Sequence, residues 1–254
     1  MQRVMYGIAG SAILVALWWV LVASGAVPQQ AFPLPHEVAT AMVDLLGDSR
    51  FWEGMWQTVQ AWVFGVGMAA LIGIPVGIAA GSAPRLRKMV TAIIELGRPI
   101  PAVALIPVGI LLFGIGNQMK IALTFYALIW IFLLQAIYGL RAVDTQLVHV
   151  ARSLHWGRVR TMLFVRLPSA APYVATALRL STALGLIIVL TAELLGASTG
   201  VGVLLRDFRT ALRPDFALAV VFLVGALGIM VNALLVVLER YVLFWAPSSQ
   251  VVGR

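Results

Sequence analysis

The segment from Ile121 to Leu140 reads IALTFYALIWIFLLQAIYGL and contains no charged side chain. A helix of about 20 mostly apolar residues is long enough to cross the hydrocarbon core of a bilayer. In a soluble fold, a helix of this length normally carries a charged or polar face. Ile121–Leu140 therefore predicts a transmembrane helix, and this one segment decides the kind of fold to expect.

The composition extends this prediction to the whole chain. Of its 254 residues, 61% are hydrophobic and 11% are charged, and the mean hydropathy is +0.98. Soluble domains have about 25% charged residues, so a soluble globular protein is excluded. Because the chain has no cysteine, disulfides, thiolate metal sites and cysteine nucleophiles are excluded as well.

Six runs with few or no charges are long enough to span a bilayer, which predicts an all-α, polytopic membrane protein with six transmembrane helices. They are Val4–Val27, Gly54–Pro84, Met89–Phe113, Ile121–Leu140, Pro172–Gly196 and Phe216–Leu238. A cleaved signal peptide is the alternative for the first run. Its apolar stretch exceeds the about 7–15 residues of the apolar region of a signal, so a retained first helix within residues 1–27 is favoured.

The positive charges predict the orientation of these helices. With the N-terminus in the cytoplasm, the inside segments hold 11 of the 18 Lys and Arg residues, and the outside segments hold five, including Lys120. Cytoplasmic loops are enriched in Lys and Arg, so both termini are expected inside. The predicted organisation is then an external loop with a short interfacial helix (28–53), a five-helix core (54–245) and a cytoplasmic tail (246–254).

A polar segment, residues 141–169, forms the longest predicted cytoplasmic loop. Its first half predicts a short helix with an apolar stripe, capped by Asp144 or Thr145. The stripe residues are Leu147, Val150, Ala151 and Leu154. Gly157 allows a turn, and Pro168 is expected to end a second short helix before the next span. A hairpin this small cannot bury its own stripe, which must pack against the membrane domain or in the groove of a partner.

The arginines of this loop have two further interpretations. Each of them, taken alone, can be explained as one of the positive charges that orient the chain. A helix-turn-helix that binds DNA phosphates is disfavoured, because the hairpin is tethered between two spans and its helices are too short. No nucleic-acid partner is therefore expected.

The loop resembles the EAA loop of binding-protein-dependent ABC importer permeases. That loop has the sequence Glu-Ala-Ala, a Gly six residues after the Glu, and Ile, Leu and Pro at sixteen, eighteen and nineteen residues after it. The corresponding positions here are His149, Val150, Ala151, His155, Val165, Leu167 and Pro168. The Ala, Leu and Pro positions match, and the main departures are His149 for Glu, Val150 for Ala and His155 for Gly.

These departures affect the expected turn. Because His reaches a left-handed turn less easily than Gly, the turn is expected to move from His155 to Gly157. His149 is expected to replace the anchoring Glu only partly. The resemblance implies that this region couples the membrane domain to an ATPase. The residues implied in that coupling are His149, Ala151, Arg152, Leu154, His155, Trp156, Gly157, Arg158, Leu167 and Pro168.

Motifs along the rest of the chain are similar to the nitrate, sulfonate, taurine and bicarbonate branch of the same family. They are Phe32–Pro35, Arg98–Pro101, Ile106-Pro107, Leu112–Gly114, Gly139–Asp144, Ala192-Glu193 and Glu239–Trp245. The resemblance implies the type I (MetI-like) permease fold in a bacterial inner membrane, beside a second permease copy or a related subunit. It also implies a solute-binding protein, periplasmic or lipid-anchored, that delivers a small anion such as a sulfonate or nitrate. A cytoplasmic ATPase dimer would bind ATP and Mg, so no cofactor is expected in this chain.

Ionisable and proline residues inside the predicted spans are the candidates for the pathway or its gates. Glu95 and Arg98 lie three residues apart and are expected to form an ion pair on one helix face, with contact to the substrate as the alternative. Pro99, Pro101 and Pro107 predict a broken third span, which is a candidate gate.

Glu193, near the outer end of the fifth span, is expected to be a structural hydrogen-bond anchor or part of the pathway or outer gate. The glycine-rich residues 196–202 that follow do not predict a nucleotide-binding loop, since no Gly-Lys-Ser/Thr follows and no strand precedes them. They are expected to allow a turn or close helix packing.

Two other classes of function compete with an importer. An intramembrane enzyme is disfavoured because only His36, His149 and His155 supply an imidazole, and none has a convincing catalytic or metal-ligand partner. Catalytic and metal-binding residues are therefore not expected. An ATP-independent secondary transporter or channel is the alternative to the importer.

Overall fold

In the computed structural model, which describes residues 2–28 and 32–245, all regular secondary structure is helical. The α-helices in chain order are α1 (Gln2–Ala23), α2 (Pro35–Gly47), α3 (Ser49–Ser82), α4 (Pro84–Gly97), α5 (Ile106–Phe113), α6 (Asn117–Arg141), α7 (Thr145–Ser153), α8 (Arg158–Thr161), α9 (Leu167–Leu195), α10 (Val201–Thr210) and α11 (Pro214–Val242). A short 3-10 helix, Ala102–Leu105, leads into α5, and a π-helical turn, Met162–Arg166, leads into α9. The predicted tail over residues 246–254 lies outside the described residues.

Within the described residues, five helical segments are long and apolar enough to cross a membrane. They are Met5–Ala23, Ser49–Ser82, Asn117–Arg141, Arg158–Leu195 and Pro214–Val242. The third predicted span is not one straight helix, because α4 and the segment Ala102–Phe113 meet at an angle of 76°. Counting this bent pair as one span gives six. The predicted all-α polytopic fold is confirmed, and so is the break in the third span.

The helix α3 begins five residues earlier than the hydropathy predicted, at Ser49 instead of Gly54. Asp48 caps it, since one carboxylate oxygen accepts the backbone N–H of Arg50 at 2.9 Å and the Arg50 guanidinium donates to the other at 2.8 Å. The hydrogen bond from the Arg50 side chain lowers the pKa of the Asp48 carboxyl below its usual value. The hydropathy pattern does not indicate that α3 begins at Ser49, because the capping residue and the first residues of the helix are polar.

The chain divides into two compact units. The first comprises Met1–Thr58 and Thr199–Leu227. In it, the indole N–H of Trp18 donates to the carbonyl oxygen of Pro33 at 3.0 Å. The Trp18 ring also stacks on Phe222 with 5.8 Å between the ring centroids. One tryptophan on α1 thus contacts both the segment that precedes α2 and the helix α11.

The helix α10, also in the first unit, was not predicted from the sequence. It follows Gly200, whose φ of 121° lies in the region that favours glycine. The backbone N–H of Val201, at the start of α10, donates to the hydroxyl oxygen of Thr58 at 2.9 Å. The expectation that the glycines of residues 196–202 allow a turn is confirmed. The helix beyond them was not predicted because it is short and three of its last five residues are charged.

The second unit, Val59–Ser198 and Gly228–Arg254, has α6 packed along α9 at its centre. The helix α3 also approaches α6 closely, through glycines. A Cβ atom added at Gly77 would lie 2.6 Å from the Cβ of Ala136 and 2.9 Å from the carbonyl oxygen of Leu133. Close backbone approach of this kind is how helices associate in lipid, where the surrounding tails remove any hydrophobic drive between them.

Much of the surface of the spans is apolar. Leu71 on α3, Leu111 on α5 and Ile229 on α11 are 75%, 84% and 73% exposed. In water, such side chains would be costly to leave uncovered, whereas lipid tails accept them. The exposed apolar faces therefore agree with the membrane location that the composition predicts.

Candidate functional site

The loop predicted to couple to a partner contains a short helix that is held at both ends. The helix α7 begins after Asp144, whose carboxylate accepts the backbone N–H of Gln146 at 2.8 Å, which selects Asp144 from the two predicted caps. The helix ends in a Schellman-type turn, in which the N–H of Trp156 donates to the carbonyl oxygen of Ala151 at 2.9 Å. Because both ends are capped, α7 can act as a rigid element.

His155 occupies the left-handed position of this turn, with a φ of 55°, and its N–H donates to the carbonyl oxygen of Arg152 at 2.9 Å. Gly157 instead has a φ of −66° and a ψ of 166° and precedes α8. The predicted displacement of the turn to Gly157 is therefore wrong. The turn stays where EAA loops have Gly, and His155 carries the conformational cost of about 1–2 kcal/mol, which the two hydrogen bonds of the turn offset.

The apolar stripe of α7 is divided between the chain itself and its surroundings. Ala151 is 2% exposed, whereas Leu147, Val150 and Leu154 are 49%, 56% and 60% exposed. The small side chain of Ala151 lets α7 pack against the π-helical turn that precedes α9. Both alternatives from the sequence thus hold in part, since Ala151 packs within the chain and the other three side chains face outward.

Pro168 does not end the second short helix, so that prediction is wrong. The chain continues from α8 through the π-helical turn into α9, and the N–H of Leu167 donates to the carbonyl oxygen of Met162. Pro168 lies in the first turn of α9, where a missing N–H is tolerated. The indole N–H of Trp245 donates to the Pro168 carbonyl oxygen at 3.2 Å. This bond ties the start of α9 to the segment that follows α11.

Trp156 connects the turn of the loop to the helices that follow it. The guanidinium carbon of Arg160 lies 4.5 Å from the centroid of the Trp156 ring, which is a cation–π contact. The Trp156 ring also meets Phe164 edge to face, with 6.2 Å between centroids. The predicted coupling residues that are exposed are His149, Arg152, Leu154, His155, Gly157 and Arg158, and those that are half-buried are Trp156, Leu167 and Pro168.

The third span breaks where its prolines begin. The carbonyl oxygen of Gly97, at the end of α4, accepts the N–H of Ile100 at 3.1 Å and the Tyr126 hydroxyl at 2.7 Å. Pro101 then precedes the 3-10 helix, and Pro107 lies in the first turn of α5. Proline has no N–H to donate to the preceding turn, and two prolines at positions 99 and 101 favour a break here, whereas the single Pro75 stays inside α3. The hydroxyl of Tyr126 helps to satisfy the backbone at the break.

Glu95 and Arg98 do not form the expected ion pair. In the part of the chain that the structure describes, neither side chain takes part in an ion pair, and both are exposed. An exposed pair on a helix gains only about 0.2–0.5 kcal/mol, which is too little to hold two flexible side chains together. The structure therefore leaves a carboxylate and a guanidinium on the surface of a bent span.

Glu193 lies in the interior of the second unit and accepts a hydrogen bond there, which is compatible with the structural anchor expected from the sequence. Its Oε1 atom accepts a hydrogen bond from the Nζ atom of Lys120 at 2.9 Å, and both side chains are fully buried. Lys120 is thus not an outer-surface charge, as the sequence suggested, but part of α6. A buried carboxylate needs a positive partner, and Lys120 supplies it. If Lys120 is left out of the count, the outside segments hold four Lys and Arg residues and the inside segments hold 11. The distribution of positive charge therefore still favours the predicted orientation.

A second ion pair between helices was not predicted from the sequence. The guanidinium of Arg179 on α9 lies 2.9 Å from a carboxylate oxygen of Glu239 on α11, and Glu239 is buried. Ionisable residues in apolar helices seldom persist without partners, so the sequence indicated that Arg179 and Glu239 would each have one. Their separation of 60 residues along the chain gave no indication of which charges would meet.

Comparison with known proteins places this geometry in a family. Residues 73–243, about two thirds of the chain, match the family described as "Binding-protein-dependent transport system inner membrane component". The taurine transport system permease protein TauC of Escherichia coli K12 is 29% identical over 254 residues, with 98% of this chain and 92% of that protein covered. The bicarbonate transport system permease protein CmpB of Synechococcus elongatus is 26% identical, with 96% and 91% covered. The nitrate import permease protein NrtB of Leptolyngbya laminosa is 28% identical, with 85% and 80% covered.

Solved structures agree on the fold. A chain of the methionine ABC transporter MetNI in an inward-facing conformation superposes with a TM-score of 0.57 at 20% identity, covering 72% of this chain and 94% of that chain. A chain of an amino acid ABC transporter gives a TM-score of 0.62 at 16% identity, covering 82% and 98%. At these identities the likeness concerns the fold alone, which is that of type I, MetI-like permeases.

Proposed function

Because the chain belongs to the family of binding-protein-dependent transport system inner membrane components, we propose that it is the membrane-spanning subunit of an ATP-driven importer for a small anion. The relatives named for taurine, bicarbonate and nitrate support the class of cargo. In this proposal the chain is not an enzyme, and a cytoplasmic ATPase dimer binds ATP and Mg. A solute-binding protein, periplasmic or lipid-anchored, delivers the anion.

The proposed assembly places two copies of the chain side by side in a bacterial inner membrane, with both termini in the cytoplasm. Each copy would move between inward-facing and outward-facing states, and ATP binding to the ATPase dimer would bias that equilibrium. Such coupling needs a rigid element that contacts the ATPase and is continuous with a span. The loop from α7 to α9 fits that requirement, because α7 is capped at both ends and the π-helical turn leads directly into α9.

The observation that carries the proposal is the outward face of α7. Three large apolar side chains, Leu147, Val150 and Leu154, are about half exposed on a helix whose small residue Ala151 packs inward. Exposed apolar side chains at helical spacing match the pattern of a helix that lies in a hydrophobic groove of a partner. We therefore assign Leu147, Val150 and Leu154 to the ATPase contact, and Ala151 to the packing that holds α7 in place.

The second part of the proposal concerns the path of the anion. Glu95 and Arg98 are exposed on the third span, and an ionised side chain deep in a span is costly to place against lipid. This face of the bent span therefore adjoins water or the second copy of the chain. Arg98, next to the proline break, is the positive charge in this span that an anion would meet, and Pro101 and Pro107 supply the irregular backbone of a gate.

An ATP-independent transporter or channel remains the competing function. Such a protein needs no ATPase, and the exposed stripe of α7 would then have no role. The two proposals differ in a simple way, because only the importer requires a separate ATPase that binds the cytoplasmic loop. Co-purification of the chain with the product of a neighbouring ATPase gene, followed by measurement of ATP hydrolysis, separates them.

The test of the coupling face uses Leu154→Glu, with Gln146→Glu as the matched control. Each change adds one negative charge, Leu154→Glu at the C-cap of α7 and Gln146→Glu in its first turn, where a negative charge is favourable and which lies outside the apolar stripe. We expect Leu154→Glu to weaken ATPase association by at least about tenfold and to abolish uptake, since an unpaired charge would be buried in the interface. Normal ATPase association and uptake in Leu154→Glu would refute the assignment.

A further inference from the structure

A cavity of about 530 Å³ lies in the second unit, where the end of α3 adjoins the cytoplasmic loop. Ser82, the last residue of α3, lines it together with Trp156 and three arginines from different elements. Those arginines are Arg152 of α7, Arg158 of α8 and Arg166 of the π-helical turn. We call it the basic cavity. Three guanidinium groups around one cavity, with no acidic residue in its lining, make a site for an anion.

The chain does not itself supply the negative charge. None of the three arginines forms an ion pair within the described residues. The segments proposed to be cytoplasmic contain two carboxylates, Asp144 and Glu239. Asp144 caps α7 through Gln146, and Glu239 pairs with Arg179. An anion that binds these three arginines would therefore come from outside the described residues.

The cavity lies at the level where apolar spans end. Ser82 ends one span, and Arg166 directly precedes α9, which begins the next. In the proposed topology these two helix ends lie on the cytoplasmic side, next to the lipid headgroups of that leaflet. Near the arginines, Val159 and Leu163 are 73% and 52% exposed, so acyl chains have apolar side chains to cover. Basic cavities between spans on the cytoplasmic side bind anionic headgroups in this way.

The position of α7 argues against the ATPase as the source of the anion. The two sides of α7 line different cavities: Val148 and Arg152 line the basic cavity, whereas Leu147, Val150 and Leu154 line an apolar groove, and Trp156 lies between the two. A partner that docks on the apolar stripe would therefore approach from the other side of the helix. The basic cavity remains accessible to lipid while that contact is made.

We propose that the basic cavity binds the phosphate of an anionic phospholipid of the cytoplasmic leaflet, and that this lipid holds the loop bearing α7 against the ends of α3 and α9. Guanidinium groups bind phosphate oxygens in a bidentate manner, and three of them can share one phosphate. The side of the membrane is taken from the proposed topology, but the cavity and its charges are independent of the importer function.

The experiment uses the purified permease without an ATPase, so that failure of the importer proposal would not affect the result. The chain is placed in nanodiscs of phosphatidylcholine, with or without phosphatidylglycerol, and thermal unfolding and retained lipid are measured. The test variant is Arg152→Gln/Arg158→Gln/Arg166→Gln. The matched control, Arg85→Gln/Arg87→Gln/Arg141→Gln, removes the same charge from the same proposed side of the membrane but from residues that do not line the cavity.

We expect phosphatidylglycerol to raise the unfolding temperature of the wild-type chain and of the control, and to have no effect on the test variant, which should retain severalfold less phosphatidylglycerol. Equal losses in both variants would indicate general surface attraction and overturn the proposal. The same stabilisation by inorganic phosphate would indicate a free-anion site, and stabilisation only on addition of the ATPase would indicate a protein contact; either would overturn it. If the test variant does not fold, Arg166→Gln alone is measured, and unchanged lipid retention would overturn the proposal.

Discussion

The Nζ atom of Lys120 on α6 lies 2.9 Å from the Oε1 atom of Glu193 on α9, and neither side chain is exposed. The two residues are 73 positions apart in the chain and join the pair of helices at the centre of the second unit. Bringing two charges out of water is costly, and their mutual attraction offsets that cost only while both are present. The pair therefore favours the observed packing of α6 against α9. If only one of the two residues is present, its buried charge destabilises the fold.

The first prediction follows from this pair. Lys120→Met and Glu193→Leu should each destabilise the protein by about 3–5 kcal/mol, because each removes the opposite charge from a buried ionised group. The double variant Lys120→Met/Glu193→Leu should recover much of that loss. The measurement is the free energy of unfolding in detergent, with expression level as a second readout. A double variant as unstable as the sum of the two single variants would show that the pair is not coupled.

The second prediction concerns the turn after α7. His155→Gly should stabilise the turn by about 1 kcal/mol, because glycine adopts a positive φ without steric cost. His155→Val should destabilise it, since a β-branched residue is strained there. Hydrogen exchange of the amides of Trp156 and its neighbours measures the local stability. Similar protection in the Gly and Val variants would contradict the left-handed conformation of His155.

The third prediction tests the approach of α3 to α6. Gly77→Ala should destabilise the protein by about 1–3 kcal/mol, since its Cβ would lie 2.6 Å from that of Ala136. Gly67 on the same helix has nothing within 4 Å of an added Cβ and serves as the control. Gly67→Ala should be neutral or stabilising by up to about 1 kcal/mol through helix propensity. Equal unfolding temperatures of the two variants would argue against the close packing.

The fourth prediction concerns the path of the anion. Arg98→Gln should lower uptake of the anion held by the cognate binding protein by about tenfold or more, because a charged hydrogen bond is worth about 1.5–3 kcal/mol. ATPase association should be unchanged. Arg87→Gln, which removes a charge near the start of the same span, is the control and should transport normally. Normal uptake in Arg98→Gln would remove this residue from the proposed path.

The fifth prediction concerns topology, and the absence of native cysteine makes it easy to test. Gly47→Cys and Asp207→Cys should react with a membrane-impermeant thiol reagent added to the outside of cells. Ser153→Cys should react only after the cytoplasmic side is opened. Labelling of position 47 or 207 from the cytoplasm alone would reverse the proposed orientation.

The membrane location, the all-α fold and the approximate limits of the spans were predictable from the sequence alone. Hydropathy over about 20 residues is a local property that needs no knowledge of distant contacts. The capped helix α7 was predictable for the same reason, since Asp144 bonds a backbone group two residues away. The break in the third span followed from its prolines, which cannot donate an N–H wherever they lie.

Only the tertiary structure decided which of the buried charges meet and which way the stripe of α7 faces. The sequence required a partner for Glu193, but whether Lys120 would supply it depended on the packing of α6 against α9. In the same way, Ala151 turned inward and Leu154 outward because α7 packs on the turn before α9. The sequence by itself determined where the helices lie along the chain and that they lie in a membrane. Contacts between residues dozens of positions apart depend on how the helices pack, which the local pattern does not encode.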